Sequence, residues 1–560
     1  MDGGTVHQGH LQARRPARHD AGRPRYLHRP VQRQLPRQDE RGPAARRRRP
    51  HPVEHGGNRQ SLMDEARANE TRAAGRGVLW ITAAKLYFVL TGVLLITLLP
   101  KLIGATDEER ARHYGTFTVV IGVLNPITMM MISGTLQAVS KFISEDVRRF
   151  GDVRREALKL QTVFGGLAAG AFVFAAPLIA HLLGDDALTP YLRLAGAIVF
   201  CYALYAALIG CFNGRRMFFH QAAMDAIFAT LKIGLILLLA ALGFGVMGTV
   251  AGFAATAAIM LVVAWAFVGR PERVESSVGW KDILRFEVWI MLFALVSNLL
   301  MNADLYLVKA LGPGDTEVGV YSVALQAARL PYIAVISVTF VIFPLVSAAA
   351  YAQDLDKARR YIAATIRYSL VIVAFLAVCL SAASREVLEL IFPPIFLSGW
   401  PVLTLLPLAY MAYALLMIVA AIISGWGRPH VSVMLTLVAL ALSVVGNAAA
   451  VPRFGIVGAA GATTVAMAAG VGLAWLYLKR MANPAFPWKT LLRLALIAAA
   501  IYGLSFAWSP TGILPIIAKC LLIAAAFVAG LIVLGELTTA DWERVRTVVR
   551  RRRDASDSAS

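Results

Sequence analysis

From Gly77 to Leu534 the chain is a succession of apolar runs, each about 20 residues long, separated by short polar breaks. A run of that length spans hydrocarbon as a helix, because a helix satisfies its backbone polar groups internally. A soluble chain of 560 residues would split into several domains with polar surface between them. A mean hydropathy of +0.62, with 58% hydrophobic residues, leaves no room for such surface. The pattern predicts an all-α polytopic membrane protein with about 14 transmembrane helices.

The expected spans are 77–103, 114–138, 158–183, 190–212, 222–243, 246–268, 284–311, 317–347, 362–383, 399–423, 430–451, 455–478, 489–508 and 513–534. Loops after even spans are basic, with Arg148, Arg149, Arg154, Arg155, Arg215, Arg216, Lys357, Arg359, Arg360, Arg428, Lys479 and Arg480. Loops after odd spans hold few cations, often beside acids. The positive-inside rule then predicts that both termini are cytoplasmic. The basic tail 537–560 agrees with this and is expected to meet lipid headgroups.

The net charge of +21 is concentrated at the start. Residues 1–60 hold 14 Arg and six of the ten His, with no helical or strand period. Such a segment is expected to be disordered, and its composition reads as translation ahead of a start at Met63. A basic arm for nucleic acid or lipid is the rival reading. The leader is favoured, so no nucleic-acid partner is expected. The four cysteines lie in or beside apolar segments without a CxxC pair, which predicts buried thiols and no metal. Loops between spans are too short for a catalytic domain, so no enzyme activity and no bound cofactor are expected.

The chain repeats itself. "FGVMGTVAGFAAT" (244–256) precedes "FGIVGAAGATTVA" (454–466) by 210 positions, matching Phe244, Gly245 and Gly248 to Phe454, Gly455 and Gly458. "GCFNGRR" (210–216) parallels "ISGWGRP" (423–429), with Gly214-Arg215 opposite Gly427-Arg428. Six spans separate equivalent points, and an even number preserves direction. Two six-helix lobes are therefore expected as parallel repeats around a central cavity, with two extra C-terminal helices. The expected divisions are a leader 1–62, lobes 63–283 and 284–481, spans 482–536 and the tail.

Charges inside spans are costly and functional by default. The candidate cavity residues are Lys85, Lys232, Asn298, Asn302, Lys309, Gln326 and Arg329, with Asp304 as a candidate for the coupling ion. At 100° per residue Asn298, Asn302 and Lys309 share a helix face, and Asp304 points elsewhere. Lys309 and Lys141 lie near enough to an interface to snorkel. Deep cations outnumber deep anions in this reading, which predicts an electropositive cavity for an anionic ligand, and Arg suits phosphate oxygens. Pro126, Pro331 and Pro344 are expected to bend spans two and eight.

A span carrying Asp304, then "LVKALGP", an acidic turn, "VGVYSVA", and a next span ending "FPLVS" (343–347) resembles the polysaccharide-export branch of the multidrug/oligosaccharidyl-lipid/polysaccharide (MOP) superfamily. The resemblance covers about 70 to 540. It implies a flippase that moves an undecaprenyl-diphosphate-linked oligosaccharide, of O-antigen or exopolysaccharide type, by alternating access. It also implies H⁺ or Na⁺ coupling at Asp304, lining cations at Lys85 and Arg329, and glycosyltransferase or polymerase partners. A lipid II flippase and a drug/cation antiporter of the same superfamily are the alternatives. A membrane enzyme acting on lipid-linked sugars would need a larger outer loop than this chain has.

Overall fold

The computed structural model describes residues 80–81, 83–269, 279–334, 342, 346 and 354–536. The expected leader and tail, Pro344 and the second half of span 317–347 lie outside them. The first lobe comprises α1 (Ala83–Leu102), α2 (Asp107–Glu145), α3 (Phe150–Leu182), α4 (Thr189–Gly214), α5 (Phe218–Ala241) and α6 (Gly245–Val268). The second comprises α7 (Trp280–Leu300), α8 (Ala303–Leu311), α9 (Asp315–Ala328), α10 (Leu355–Ala382), the short α11 (Ser384–Ile391), α12 (Trp400–Gly425) and α13 (Pro429–Ala482). A last pair, α14 (Trp488–Ala507) and α15 (Ile513–Val533), follows.

Among the described residues, 12 helices are long and apolar enough to cross a membrane. One of them, α13, has 54 residues and leaves helical geometry at Gly455, with φ 57° and ψ −144°. Its halves then run antiparallel. The Asn447 side chain donates to Thr463 Oγ1 at 3.0 Å, and a methyl on Gly446 would lie 3.5 Å from Ala462 Cβ. So α13 contains two of the expected spans. The protein is an all-α, multi-pass membrane protein.

The turns show the duplication in backbone detail. Gly245 and Gly455 both adopt φ near +56° (55° and 57°), where a Cβ is disfavoured. Three residues later Gly248 and Gly458 each let the following helix pass against its predecessor. A methyl on Gly248 would lie 3.2 Å from Leu239 Cβ, and one on Gly458 2.6 Å from the Ala450 oxygen. The second repeat corrects the sequence match. Arg216 N–H donates to Asn213 and Met217 N–H to Phe212, as Gly427 donates to Ser424 and Arg428 to Ile423. The left-handed residues are thus Arg216 and Gly427, and Gly214 pairs with Gly425 rather than Gly427. The Gly-Arg dipeptides matched by letters, two residues out of structural register.

One end of the bundle carries the basic loops and the other the acidic ones. At the acidic end Thr106 caps α2 by accepting from Glu109 N–H at 3.2 Å, and Asp107, Glu108 and Glu109 complement the positive helix end. The lobes meet along α2, which packs on α7, α8 and α9. Near the acidic end Gly115 meets Gly319 so closely that a methyl on Gly115 would lie 2.7 Å from the Gly319 nitrogen. Only glycine permits that backbone approach. Halfway along, Gly122 faces Leu305, Asn302 and Tyr306 of the second lobe.

The pair α14–α15 packs on α10. Leu494, Ile497, Ile501, Ile523, Phe527 and Leu531 bury against Leu370, Ala374 and Val378. Both ends are also held by polar groups. Lys519 is paired with Glu386 of α11 and donates to the Ser505 carbonyl. At the other end Glu536 accepts from Arg367, Thr490 and Arg493, each at 2.7 Å.

Candidate functional site

The crossing expected as one helix over 284–311 is broken. Helix α7 ends at Leu300, Asn302 takes φ −127° and ψ 0°, and α8 begins at Ala303. A break leaves carbonyls without intrahelical partners at the end of α7 and N–H groups without them at the start of α8. Both ends find partners. Arg329 Nη2 donates to the Met301 oxygen and to Asn302 Oδ1, both at 2.9 Å, which brings a cation to the negative end of α7. Tyr410 donates to the same Met301 oxygen at 3.0 Å, and Tyr413 to the Ser297 oxygen at 3.2 Å. Asp304 sits in the first turn of α8, where its Oδ1 accepts from Leu305 N–H at 2.8 Å. Its Oδ2 accepts from the Tyr321 hydroxyl at 2.6 Å.

Arg329 itself caps α9, two residues before Pro331. Arg329 forms a one-residue turn and the chain is helical again over 330–334, so the crossing is offset here rather than ended. Pro126, by contrast, lies inside the 39-residue α2. The remaining Arg329 bonds run from Nε to Tyr410 at 3.2 Å and from Nη1 to Gln326 Oε1 at 3.0 Å. Every hydrogen-bond acceptor of this guanidinium is a neutral oxygen. Asn298 and Asn302 join the cluster through their own helix, and the Tyr306 hydroxyl donates across the lobe boundary to the Gly122 oxygen at 2.6 Å.

The structure therefore brings together Asn298, Asn302, Asp304, Gln326 and Arg329, at the α7–α8 break, which faces α2. The other candidates lie elsewhere. Lys309 does not share a site with Asn298 and Asn302, because it lies about two turns beyond Asn302 on α8, at the acidic end. Nor does it snorkel. Its side chain is 4% exposed and donates to Asp185 at 2.6 Å and Asp315 at 2.5 Å. Since Asp185 belongs to the α3–α4 turn, this is an ionic tie between the lobes at the acidic end. Lys85 is 61% exposed and donates to Asp225 of α5 at 2.8 Å. Lys232 lies over the Phe253 ring at 4.2 Å, within the first lobe.

The expected excess of deep cations does not hold among the described residues. Asp225 answers Lys85, Glu386 answers Lys519, and Glu287 and Asp304 are both buried. The sequence reading passed over Asp225, Glu287 and Glu386, and with them the tyrosines that position Arg329. Single acids inside long apolar runs were the signal for the first two.

A discontinuous helix at the boundary of two repeated lobes is the architecture of an alternating-access transporter. The comparisons agree with that class. The lipid II flippase MurJ in an inward closed conformation superposes with TM-score 0.66 at 15% identity, covering 81% of this chain and 98% of that one. An inward-facing multidrug resistance MATE transporter gives 0.58 at 18%, covering 71% and 94%. A MOP superfamily transporter from Pyrococcus furiosus gives 0.53 at 15%, covering 73% and 95%. The fold is that of the MOP superfamily. Residues 110–398, just over half the chain, match the family model described as "Polysaccharide biosynthesis protein", and the chain belongs to that family. An uncharacterised membrane protein of Methanocaldococcus jannaschii is 30% identical over 125 residues, 22% of this chain. That match spans 24% of the relative's own length.

Proposed function

We propose that this protein is a flippase for a lipid-linked oligosaccharide carried on a diphosphate, of the undecaprenyl-diphosphate O-antigen or exopolysaccharide kind. The observation that carries the reading is Arg329. It is held at a helix break on the lobe boundary, its hydrogen bonds go to neutral oxygens, and buried Asp304 offsets part of its charge; the remainder is the part proposed to act on an anionic headgroup. Membership of a polysaccharide biosynthesis family supports the glycan part. The two lobes rock about the break while the lipid tail stays in the bilayer. Asp304 is the group proposed to take up H⁺ or Na⁺. The setting is a bacterial inner membrane with both termini cytoplasmic, beside glycosyltransferases and polymerases.

A lipid II flippase is a second reading, favoured by the larger share of this chain that MurJ covers than the MATE transporter does. A cationic drug as cargo is disfavoured by the charge of Arg329. The test is surface glycan in a host lacking its own flippase. Arg329→Ala is expected to lower it roughly tenfold or more, the cost of about one lost charged hydrogen bond. Lys85→Ala, already paired with Asp225, is expected to lower it less. Parental glycan levels with Arg329→Ala would overturn the proposal. Rescue of a strain lacking its lipid II flippase would move the assignment to the second reading.

A further inference from the structure

Glu287 lies in the basic half of α7 and is 0% exposed. Its Oε1 accepts from Gln161 Nε2 of α3 at 3.3 Å, and the same nitrogen donates to Thr135 Oγ1 of α2 at 2.7 Å. Gln161 and Thr135 are also 0% exposed. Three buried polar side chains thus meet across the lobe boundary, two from the first lobe and one from the second. The set is incomplete. Glu287 Oε2 and Gln161 Oε1 have no hydrogen-bond partner. Nearby, Gly134 allows α2 to touch Met291, one turn beyond Glu287, so the helices are in direct contact.

Among the described residues no cation pairs with this carboxyl. On α2, Lys141 pairs with Glu145 at 3.2 Å and lies over the rings of Phe142 and Phe286. On α3, Lys159 pairs with Glu156 at 2.7 Å, and Arg154 donates to the Gly269 oxygen while lying over Trp265. Arg155 and Asp152 sit nearer the helix start, more than one turn from Gln161. On α7 itself Lys281, Asp282 and Arg285 are exposed, and Arg285 is on the opposite helical face from Glu287. On α13, which packs on α7 from the other side, Lys479 and Arg480 are exposed at the last turn. An ionised carboxylate in this place would be a buried charge without a counterion among the described residues.

We propose that Glu287 is a proton-binding site that ties the two lobes together. Carrying a proton, the neutral acid is compatible with the close contact between α7, α2 and α3. When the proton leaves to water, the carboxylate needs solvation, and the lobes separate at this end to provide it. One proton is bound in the packed arrangement and released in the separated one. Raising the pH therefore favours separation, and the ratio of separated to packed molecules rises by at most about tenfold per pH unit. The inference draws on the proposed function only for the relative motion of the lobes, and needs no cargo.

The experiment places nitroxide labels on Val147→Cys and Trp280→Cys, exposed positions at the basic end of the two lobes, after replacement of the four native cysteines. Electron–electron distances are measured in lipid across a pH series at fixed Na⁺, and across a Na⁺ series at fixed pH. The parent is expected to gain a longer-distance population as pH rises. Glu287→Gln, which keeps the shape of the neutral acid, should hold the short distance at every pH, and Glu287→Asp should keep a pH response. Monodisperse elution of each variant verifies folding. The proposal fails if the Gln variant shifts with pH as the parent does, if the parent does not shift, or if Na⁺ rather than pH sets the distance. Such a failure would leave the surface-glycan result of Arg329→Ala unaffected.

Discussion

Gly245 and Gly455 close two hairpins of one shape, yet the helices packed in front of them are filled differently. In the first lobe Tyr202 meets Phe228 and Phe253 edge to face, Tyr205 meets Tyr202 and Phe228 at a tilt, with ring centroids 5.6–6.4 Å apart, and Lys232 rests on Phe253. In the second, Tyr321, Tyr410 and Tyr413 point their hydroxyls at Asp304 and at the carbonyls of a broken helix. The first-lobe helix α2 runs unbroken for 39 residues, whereas its counterpart turns at Arg329 before the helix resumes at 330. A duplicated backbone is a packing piece on one side and a polar site on the other. The α7–α8 break is what holds the charges, because the Met301 carbonyl and the Leu305 N–H it frees are what Arg329 and Asp304 bind.

The largest effect that would sharpen this contrast is on stability. Arg329→Leu leaves the Met301 oxygen and Asn302 without their donor and is expected to cost about 3 kcal/mol. Lys232→Met loses one cation–π contact and is expected to cost about 1 kcal/mol or less. Thermal unfolding in one detergent compares the two, and equal losses would erase the distinction between the lobes. The hairpins make the opposite demand. Gly245→Ala and Gly455→Ala each place a Cβ in a left-handed residue and should each cost about 1–2 kcal/mol. A large difference between the two would break the equivalence of the repeats.

The smallest effect concerns the added pair α14–α15, which only the second lobe carries. Burial pushes the Glu536 carboxyl up, but hydrogen bonds from Arg367, Arg493 and Thr490 outweigh it and hold it below the usual range. A lowered value stabilises the fold above the unfolded-state pKa, and that contribution is lost as the pH falls through the folded-state value. Acid should therefore loosen the pair, read as faster proteolysis near 536. Glu536→Gln should be looser at neutral pH and should not respond further to acid.

The crossings were legible because bilayer thickness sets a length that composition alone reveals. So was the repeat at Gly245 and Gly455, since a left-handed turn favours glycine. Partners were not legible. Lys85 and Asp225 are 140 positions apart, as unconnected in sequence as Lys519 and Glu386. Asn302 gave no sign that it would end a helix, since a lone Asn is tolerated in helix interiors. Lys309 is on the helix that Asn302 caps but lies about two turns away, too far along the axis for a common site. Gln326, Arg329 and Asp304 were found because charge and amide groups are expensive in apolar runs. The tyrosines that hold them escaped notice because aromatic residues are ordinary there.

The clamps on α14–α15 have a mechanical consequence. A hairpin bolted to α10 and α11 at both extremities, with an apolar seam between the bolts, has no hinge of its own. In the proposed cycle it would swing with the second lobe as an outrigger, sweeping through the surrounding lipid. Bilayer stiffness and thickness would then act on this lever arm as a load on the transport cycle.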